Sequence, residues 1–168
     1  RNYPNKSIAI VRKEDKVLIP CGIPYIFGTV ESTDNNLIPD GVLNKNNIDL
    51  IIDDVKGIDC GNKQLSTANN EIISYDKLVL ATGSTPIKPP IPGINKQNVF
   101  FIEKDVSYLN HILDELNSAK NIVVLGGGFI GVEFADELRK RGLNISIVEM
   151  FSHCLVMAFE ESFCVEAE

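Results

Sequence analysis

Two stretches of this chain combine residue types and spacings that can do chemistry. In "VLIPCGIPYIFG" (Val17–Gly28) a single cysteine, Cys21, stands between Pro20 and Gly22, with Pro24 three residues on. Cysteines that only pack usually lie inside apolar runs of strand or helix. Cys21 instead sits at a chain break, ahead of a segment expected to begin a short helix. Taken alone, that position leaves an inert packed thiol and a reactive one both open. The second stretch, "VVLGGGFIGVEFADELRKRGLNISIVE" (Val123–Glu149), contains G-x-G-x-x-G in Gly126, Gly128 and Gly131. The pattern follows an apolar β-branched run and opens a helical period, the setting in which it signifies nucleotide binding. Gly126 permits the tight turn, Gly128 lets a pyrophosphate reach the backbone, and Gly131 lets helix and strand pack closely. Phe129 and Ile130 lie between the last two glycines, where the free N–H groups of a helix start favour phosphate. Glu149 ends the next strand, 18 residues after Gly131. An acid there holds both ribose hydroxyls and disfavours a 2′-phosphate, which points to NAD over NADP. The loop by itself leaves FAD and NAD both open.

The elements that position these residues follow from periodicity. "SIAIV" (Ser7–Val11), "IDLIID" (Ile48–Asp53) and "EIISYDKLVLATG" (Glu71–Gly83) read as strands, with a turn or hairpin over "DCGNKQLST". Ile23 to Val30 reads as a short helix, with Pro24 in its first turn, and residues 31–47 as a loop around a brief helical piece. "STPIKPPIPGI" (Ser84–Ile94) holds four prolines in eleven residues, which neither helix nor central strand tolerates. It is the natural crossing between domains. Beyond it, Val106, Leu109, Leu113 and Leu116 fall at helical spacing with Asp105 as N-cap. "NIVVLGG" is a buried strand. Ile130, Phe134 and Leu138 then stack at i, i+4, i+8 on a helix that Gly142 stops, and "NISIVE" is the following strand. The fold class is therefore α/β, with strands and helices alternating in the second half.

Composition bounds the function. The 168 residues carry a net charge of −7, with 44% hydrophobic and 23% charged residues. The acidic balance argues against nucleic acid or an anionic membrane as partner. No apolar run reaches the length of a membrane span. The four cysteines show no C-x-x-C spacing, and two histidines do not complete a zinc set, so no metal site is expected. Reduced thiols in a cytoplasmic protein are the default. The chain opens without Met and closes in a helical run with no stop signal, and is expected to be part of a longer protein.

"CGIPY", "YDKLVLATGSTPIKPPIPG" and "VVLGGGFIGVEFADELRKRG", in that order, resemble the flavin-dependent pyridine nucleotide–disulfide oxidoreductases. The resemblance runs over most of the chain and is nearest the single-cysteine branch of NADH oxidases, NADH peroxidases and coenzyme A-disulfide reductases. It implies parts of two doubly wound, Rossmann-like, three-layer nucleotide-binding domains. Residues 1 to about 95 would be a partial FAD-binding domain lacking its first strand and glycine loop, and about 96–168 a partial NAD-binding domain. The glycine loop would then be the NAD site. Val55 would meet the FAD adenine through its backbone, and Ala81, Thr82 and Gly83 would lie close to FAD. The complete protein would form a homodimer and deliver electrons to a small-molecule acceptor.

The resemblance places Cys21 beside the flavin. A thiolate in that place would attack disulfides or cycle through sulfenic acid. No second cysteine follows four or five residues on, so the oxidised form implied is a sulfenic acid or a mixed disulfide. Three functions stay open: thiol-based reduction of a small disulfide, persulfide or dioxygen; electron transfer to a redox protein with Cys21 a bystander; and a non-catalytic nucleotide-binding module. The 168 residues alone are expected to bind FAD weakly and to be inactive. Two positions depart from the family pattern. Arg12 stands where FAD domains commonly place an acid for the ribose, and Pro20 where coenzyme A-disulfide reductases carry a polar residue. Of the rest, Cys60 reads as incidental in a turn, Cys154 and Cys164 as unbridged, and His111 and His153 as surface and loop residues. Glu133 is favoured near a helix start by the dipole alone.

Overall fold

The computed structural model describes residues 5–168. They form two compact units, one of the residues up to Val17 with Ile38–Ser84, the other of Leu18–Leu37 with Thr85–Glu168.

In the first unit, β1 (Ile8–Arg12) lies parallel to β2 (Ile48–Ile52), Ile8 opposite Ile48 and Arg12 opposite Ile52. A five-residue helix, α2 (Gly41–Lys45), precedes β2. Arg12 at the end of β1 donates to both carboxylate oxygens of Asp40 at 2.8 Å, and to the carbonyls of Glu14 and Asp15. Its guanidinium thus ties the loop after β1 to the residue that leads into α2, and its hydrogen bond holds the Asp40 carboxyl below the usual range.

Three antiparallel strands follow, β3 (Val55–Asp59), β4 (Gln64–Thr67) and β5 (Ile72–Ser74). The expected hairpin is present, its turn fastened by the Asp59 carboxylate, which accepts from the Asn62 N–H at 2.9 Å and side chain at 2.8 Å. Strand β3 escapes periodicity because the pairing shifts between Val55 and Gly57, which breaks the alternation. The strand expected over Glu71–Gly83 is shorter: it ends at Ser74, and no ladder among the described residues extends past it. Val79 and Leu80 are 84% and 66% exposed. Among the described residues their apolar, strand-forming sequence has no neighbouring strand to complete its hydrogen bonds, and a strand is defined by that neighbour.

The second unit begins with a 3-10 turn, Pro20–Gly22, that runs into α1 (Ile23–Ile26). The helix expected to reach Val30 stops four residues earlier. At Gly28 a Cβ would stand 2.4 Å from the Glu137 carbonyl oxygen, so the backbone closes on the neighbouring helix there instead of continuing. A second 3-10 turn, Thr33–Asn36, follows. Then come α3 (Val106–Leu116), β6 (Asn121–Leu125), α4 (Phe129–Lys140), β7 (Asn144–Val148) and α5 (Glu161–Ala167). Asp105 caps α3 as expected, its carboxylate accepting the Tyr108 N–H at 2.7 Å. Gly142, at φ +79°, closes the turn after α4.

Strands β6 and β7 run parallel, Asn121 opposite Asn144 and Leu125 opposite Val148. Ile23, Ile26 and Phe27 pack with Leu109, Ile112, Phe134 and Leu138 in one core, with the Phe27 and Phe134 rings 5.2 Å apart. Ile122, Val124 and Ile145 bring one face of the strand pair onto that core. Val123, Leu125 and Val148 on the other face are exposed. The apolar stripe of α4 is also shorter than its spacing implies. Phe134 and Leu138 are buried, but Ile130 is 65% exposed, because the first turn of α4 stands at the glycine loop, past the core.

Candidate functional site

The glycine loop joins β6 to α4. Gly126 takes φ +102°, a conformation only glycine adopts freely, and its N–H reaches the Val148 carbonyl at 2.9 Å. That bond fixes the loop to the end of β7. Gly128 is the N-cap of α4. At both Gly126 and Gly128 the direction a Cβ would take is open, with nothing within 4 Å. Gly131 is the opposite case: its Cβ would collide with the Gly126 carbonyl oxygen. One end of the loop is thus bare for a ligand and the other is closed against the strand. Phe129 and Ile130, both exposed, stand on the first turn of α4, and Phe129 meets Phe159 edge-on at 5.7 Å.

Glu149, at the end of β7, is already engaged with this loop. One carboxylate oxygen accepts the Gly127 N–H at 2.5 Å, and the other accepts from Met150 at 2.7 Å and Phe151 at 3.0 Å. The Phe151 and Gly127 N–H groups hold the carboxyl below its ordinary range, so it is an anion at neutral pH. Below the loop, Cys154 is half-buried, and a Cβ on Gly127 would meet its sulfur at 2.6 Å. Burial, followed by the Glu168 and Glu149 charges, pushes that thiol up. His153 pairs with Glu168 at 3.1 Å. Gly131→Ala is expected to force α4 away from β6 and to cost stability, on the ~1–3 kcal/mol scale of overpacking. Denaturant unfolding measures it; unchanged stability would mean the close approach is dispensable.

Cys21 is exposed, the middle residue of the Pro20–Gly22 turn. It lies in the same compact unit as the glycine loop, on the segment packed against α4. Two buried polar residues that sequence reasoning misses hold that segment. Asn36 is 4% exposed and hydrogen-bonds Ile19 twice, accepting its N–H at 2.8 Å and donating its side-chain amide to its carbonyl at 3.0 Å. Glu137 on α4 is 2% exposed and accepts from the Thr29 N–H at 2.6 Å, the Thr29 hydroxyl at 3.1 Å and Lys140 at 2.6 Å. Burial pushes its carboxyl up, but Lys140 and the two Thr29 donors outweigh it, and the net result is a carboxyl below its usual range.

The residues expected near FAD lie in the other unit. Val55 is half-buried at the start of β3, opposite Thr67. Ala81, Thr82 and Gly83 are exposed in a stretch without helix or strand, with Gly83 at φ +70°. All four cysteines are free thiols. Among the described residues no group of three His, Cys, Asp or Glu could hold a metal ion, and no helix is long and apolar enough to cross a membrane.

This arrangement has known counterparts. The family pattern described as pyridine nucleotide-disulphide oxidoreductase matches residues 1–168. The chain belongs to that family. It is 33% identical over 173 residues to an NADH oxidase of Enterococcus faecalis, covering 96% of this chain and 38% of that protein. It is 36% identical over 156 residues to an NADH oxidase of Methanocaldococcus jannaschii, covering 86% of this chain and 34% of that one. The solved structure of an NAD-dependent persulfide reductase from A. fulgidus superposes with a TM-score of 0.84 at 28% identity, over 96% of this chain and 32% of that one. The chain thus spans about a third of the relatives it matches. The family's Rossmann-like, α/β character is visible in the β6–α4–β7 unit and in the parallel β1–β2 pair.

Proposed function

We propose that this chain is the part of an NADH-dependent flavoprotein oxidoreductase that carries the NAD loop and a single redox thiol, Cys21. The observation that carries the reading is the exposed Cys21 turn, which runs into α1, a helix packed on the same α4 that the glycine loop opens. Residues 1 to about 95 contribute to the FAD domain and about 96–168 to the NAD domain. The acceptor is a small disulfide, persulfide or dioxygen, and the complete protein acts as a homodimer.

The residues present fit both cofactors. The open directions at Gly126 and Gly128 and the bare first turn of α4 suit a pyrophosphate; Glu149, anionic and fixed beside the loop, suits ribose hydroxyls. Gly83, at positive φ with nothing within 4 Å of where a Cβ would stand, leaves the exposed backbone of Ala81–Gly83 approachable by FAD, with Val55 offering a backbone contact to adenine. Bound together, NADH and FAD supply two-electron hydride chemistry.

The chain's own share of the work falls to Cys21. As a thiolate it attacks one sulfur of a small disulfide, forming a mixed disulfide while the other sulfur leaves as a thiolate and takes a proton. Two electrons and a proton derived from NADH then cleave the mixed disulfide, releasing the second small thiol and restoring the Cys21 thiolate. With dioxygen-derived oxidants Cys21 passes instead through sulfenic acid, which the same two electrons return to thiolate and water.

Turnover of the complete FAD-loaded protein with each acceptor, in wild type and Cys21→Ser, tests the thiol. Unchanged rates with all three would remove it from the reaction. The nucleotide half is tested apart from it. Glu149→Ala is expected to raise the Kd for NADH about tenfold, the worth of a hydrogen bond to a charged group. Because the Glu149 carboxyl is held low, its contribution is constant at neutral pH and fades only as pH falls through that lowered value. Equal affinity of the variant and wild type would exclude a ribose contact.

A further inference from the structure

We infer that Asn36 is a positioning residue for Cys21, holding the Pro20–Gly22 turn in the one conformation that presents the thiol for reduction. The inference rests on the reading of Cys21 as the redox thiol. Asn36 is a buried polar residue far along the chain, and each of its contacts bears on a neighbour of Cys21. Its backbone carbonyl accepts the Ile19 N–H at 2.8 Å, and its side-chain amide donates to the Ile19 carbonyl at 3.0 Å. That same carbonyl accepts the Gly22 N–H at 2.9 Å, the bond that closes the turn around Cys21. The Asn36 side-chain oxygen occupies the place where a Cβ on Gly22 would stand, so a side chain at residue 22 would displace the Asn36 amide.

Asn36 is itself held from behind. It ends the Thr33–Asn36 turn, whose Thr33 hydroxyl donates to the Asn110 side-chain oxygen on α3 at 2.9 Å. The bridge between Leu18 and Leu37 fixes the two chain segments side by side. The thiol is therefore braced on both sides by one side chain anchored to the helical core, although Cys21 itself is exposed and makes no such contacts. Removing the amide frees the Ile19 carbonyl from one of its two donors and opens space beside Gly22. The turn then samples other conformations, and a step that needs the thiol in register slows, while steps confined to the nucleotide do not.

The test is anaerobic stopped-flow reduction of the complete, FAD-loaded protein by NADH, starting from enzyme with Cys21 oxidised to sulfenic acid. Each NADH would deliver two electrons; one pair returns Cys–SOH to thiolate and water and one pair stays on the flavin, so the second NADH can be consumed only after the sulfenic acid has accepted its pair. In Asn36→Ala, uptake of the second equivalent is expected to slow at least tenfold while the first stays within twofold of wild type. Asn36→Asp keeps the volume but lacks the donor to Ile19. It is expected to show the same split, and it serves where the alanine variant folds poorly. Both phases unchanged, or both slowed alike as general loosening would cause, overturns the inference. Wild-type protein taking up only one equivalent overturns the thiol reading, and the inference with it; two equivalents in wild type with no split in the variants overturns the inference alone.

Discussion

Cys21→Ser in the complete, flavin-loaded protein is expected to lower NADH-driven reduction of a small disulfide, persulfide or dioxygen by ~100-fold or more, the scale on which loss of a covalent nucleophile acts. NADH-driven reduction of ferricyanide, which can draw electrons without a thiol, should stay within a factor of two. The split follows from where Cys21 sits. It is exposed in its turn, so serine at the same place disturbs no packing, and the fold has no reason to respond. A parallel fall in both activities would point to damage at the cofactor sites. Full retention of acceptor turnover would leave Cys21 a bystander, with electrons passing directly from flavin to acceptor. None of Cys60, Cys154 and Cys164 substitutes for it by proximity in sequence, and Cys154 and Cys164 are withdrawn from solvent, the first half-buried and the second buried.

Glu137→Ala carries the largest expected effect on stability. The carboxylate sits almost wholly buried on α4 and is the acceptor for the Thr29 N–H, its hydroxyl and Lys140. Truncation removes the hydrogen bonds that the Thr29 N–H and hydroxyl make to a charged acceptor, worth about 1.5–3 kcal/mol in all. Denaturant or thermal unfolding should register the loss. Glu137→Gln keeps an acceptor for Thr29 and should cost less. The pH dependence has a definite sign. The folded carboxyl lies below its unfolded value of ~4.3, so the stabilisation is fully present above that value and is lost as pH falls through the lowered one. The gap between wild type and Glu137→Ala should therefore be flat from pH 8 to about 5 and narrow in acid. A variant as stable as wild type at pH 7 would mean that the Phe27–Phe134 contact and its neighbours hold the Cys21 segment without help.

The parts of the fold that are legible in the sequence are those fixed by local chemistry. Asp105 caps α3 because a carboxylate there meets an unpaired N–H three residues on. Gly142 ends α4 because the chain turns through positive φ, and Gly126 and Gly131 each answer a local steric demand, the first for positive φ and the second for close approach. What sequence does not disclose is set by distant neighbours. Val79 and Leu80 have strand-forming side chains but no strand beside them among the described residues. Ile130 keeps its place in a helical stripe yet lies past the end of the core. The helix after Cys21 stops at Ile26 because Gly28 closes on Glu137, a residue 109 positions away. Asn36 and Glu137 are the clearest instances. An asparagine in an Asn- and Asp-rich stretch reads as turn chemistry, and a glutamate beside a leucine reads as a solvated helix face. Only the packing of Leu18–Leu37 against α3 and α4 turns them into the buried supports of the thiol.

The central claim, that Cys21 is a second redox centre beside the flavin, is tested most directly by anaerobic titration of the complete, FAD-loaded protein with NADH. The account predicts uptake of two equivalents per subunit in wild type and one in Cys21→Ser. Uptake of a single equivalent by wild-type protein would contradict it, leaving the flavin as the only centre and Cys21 as part of a turn.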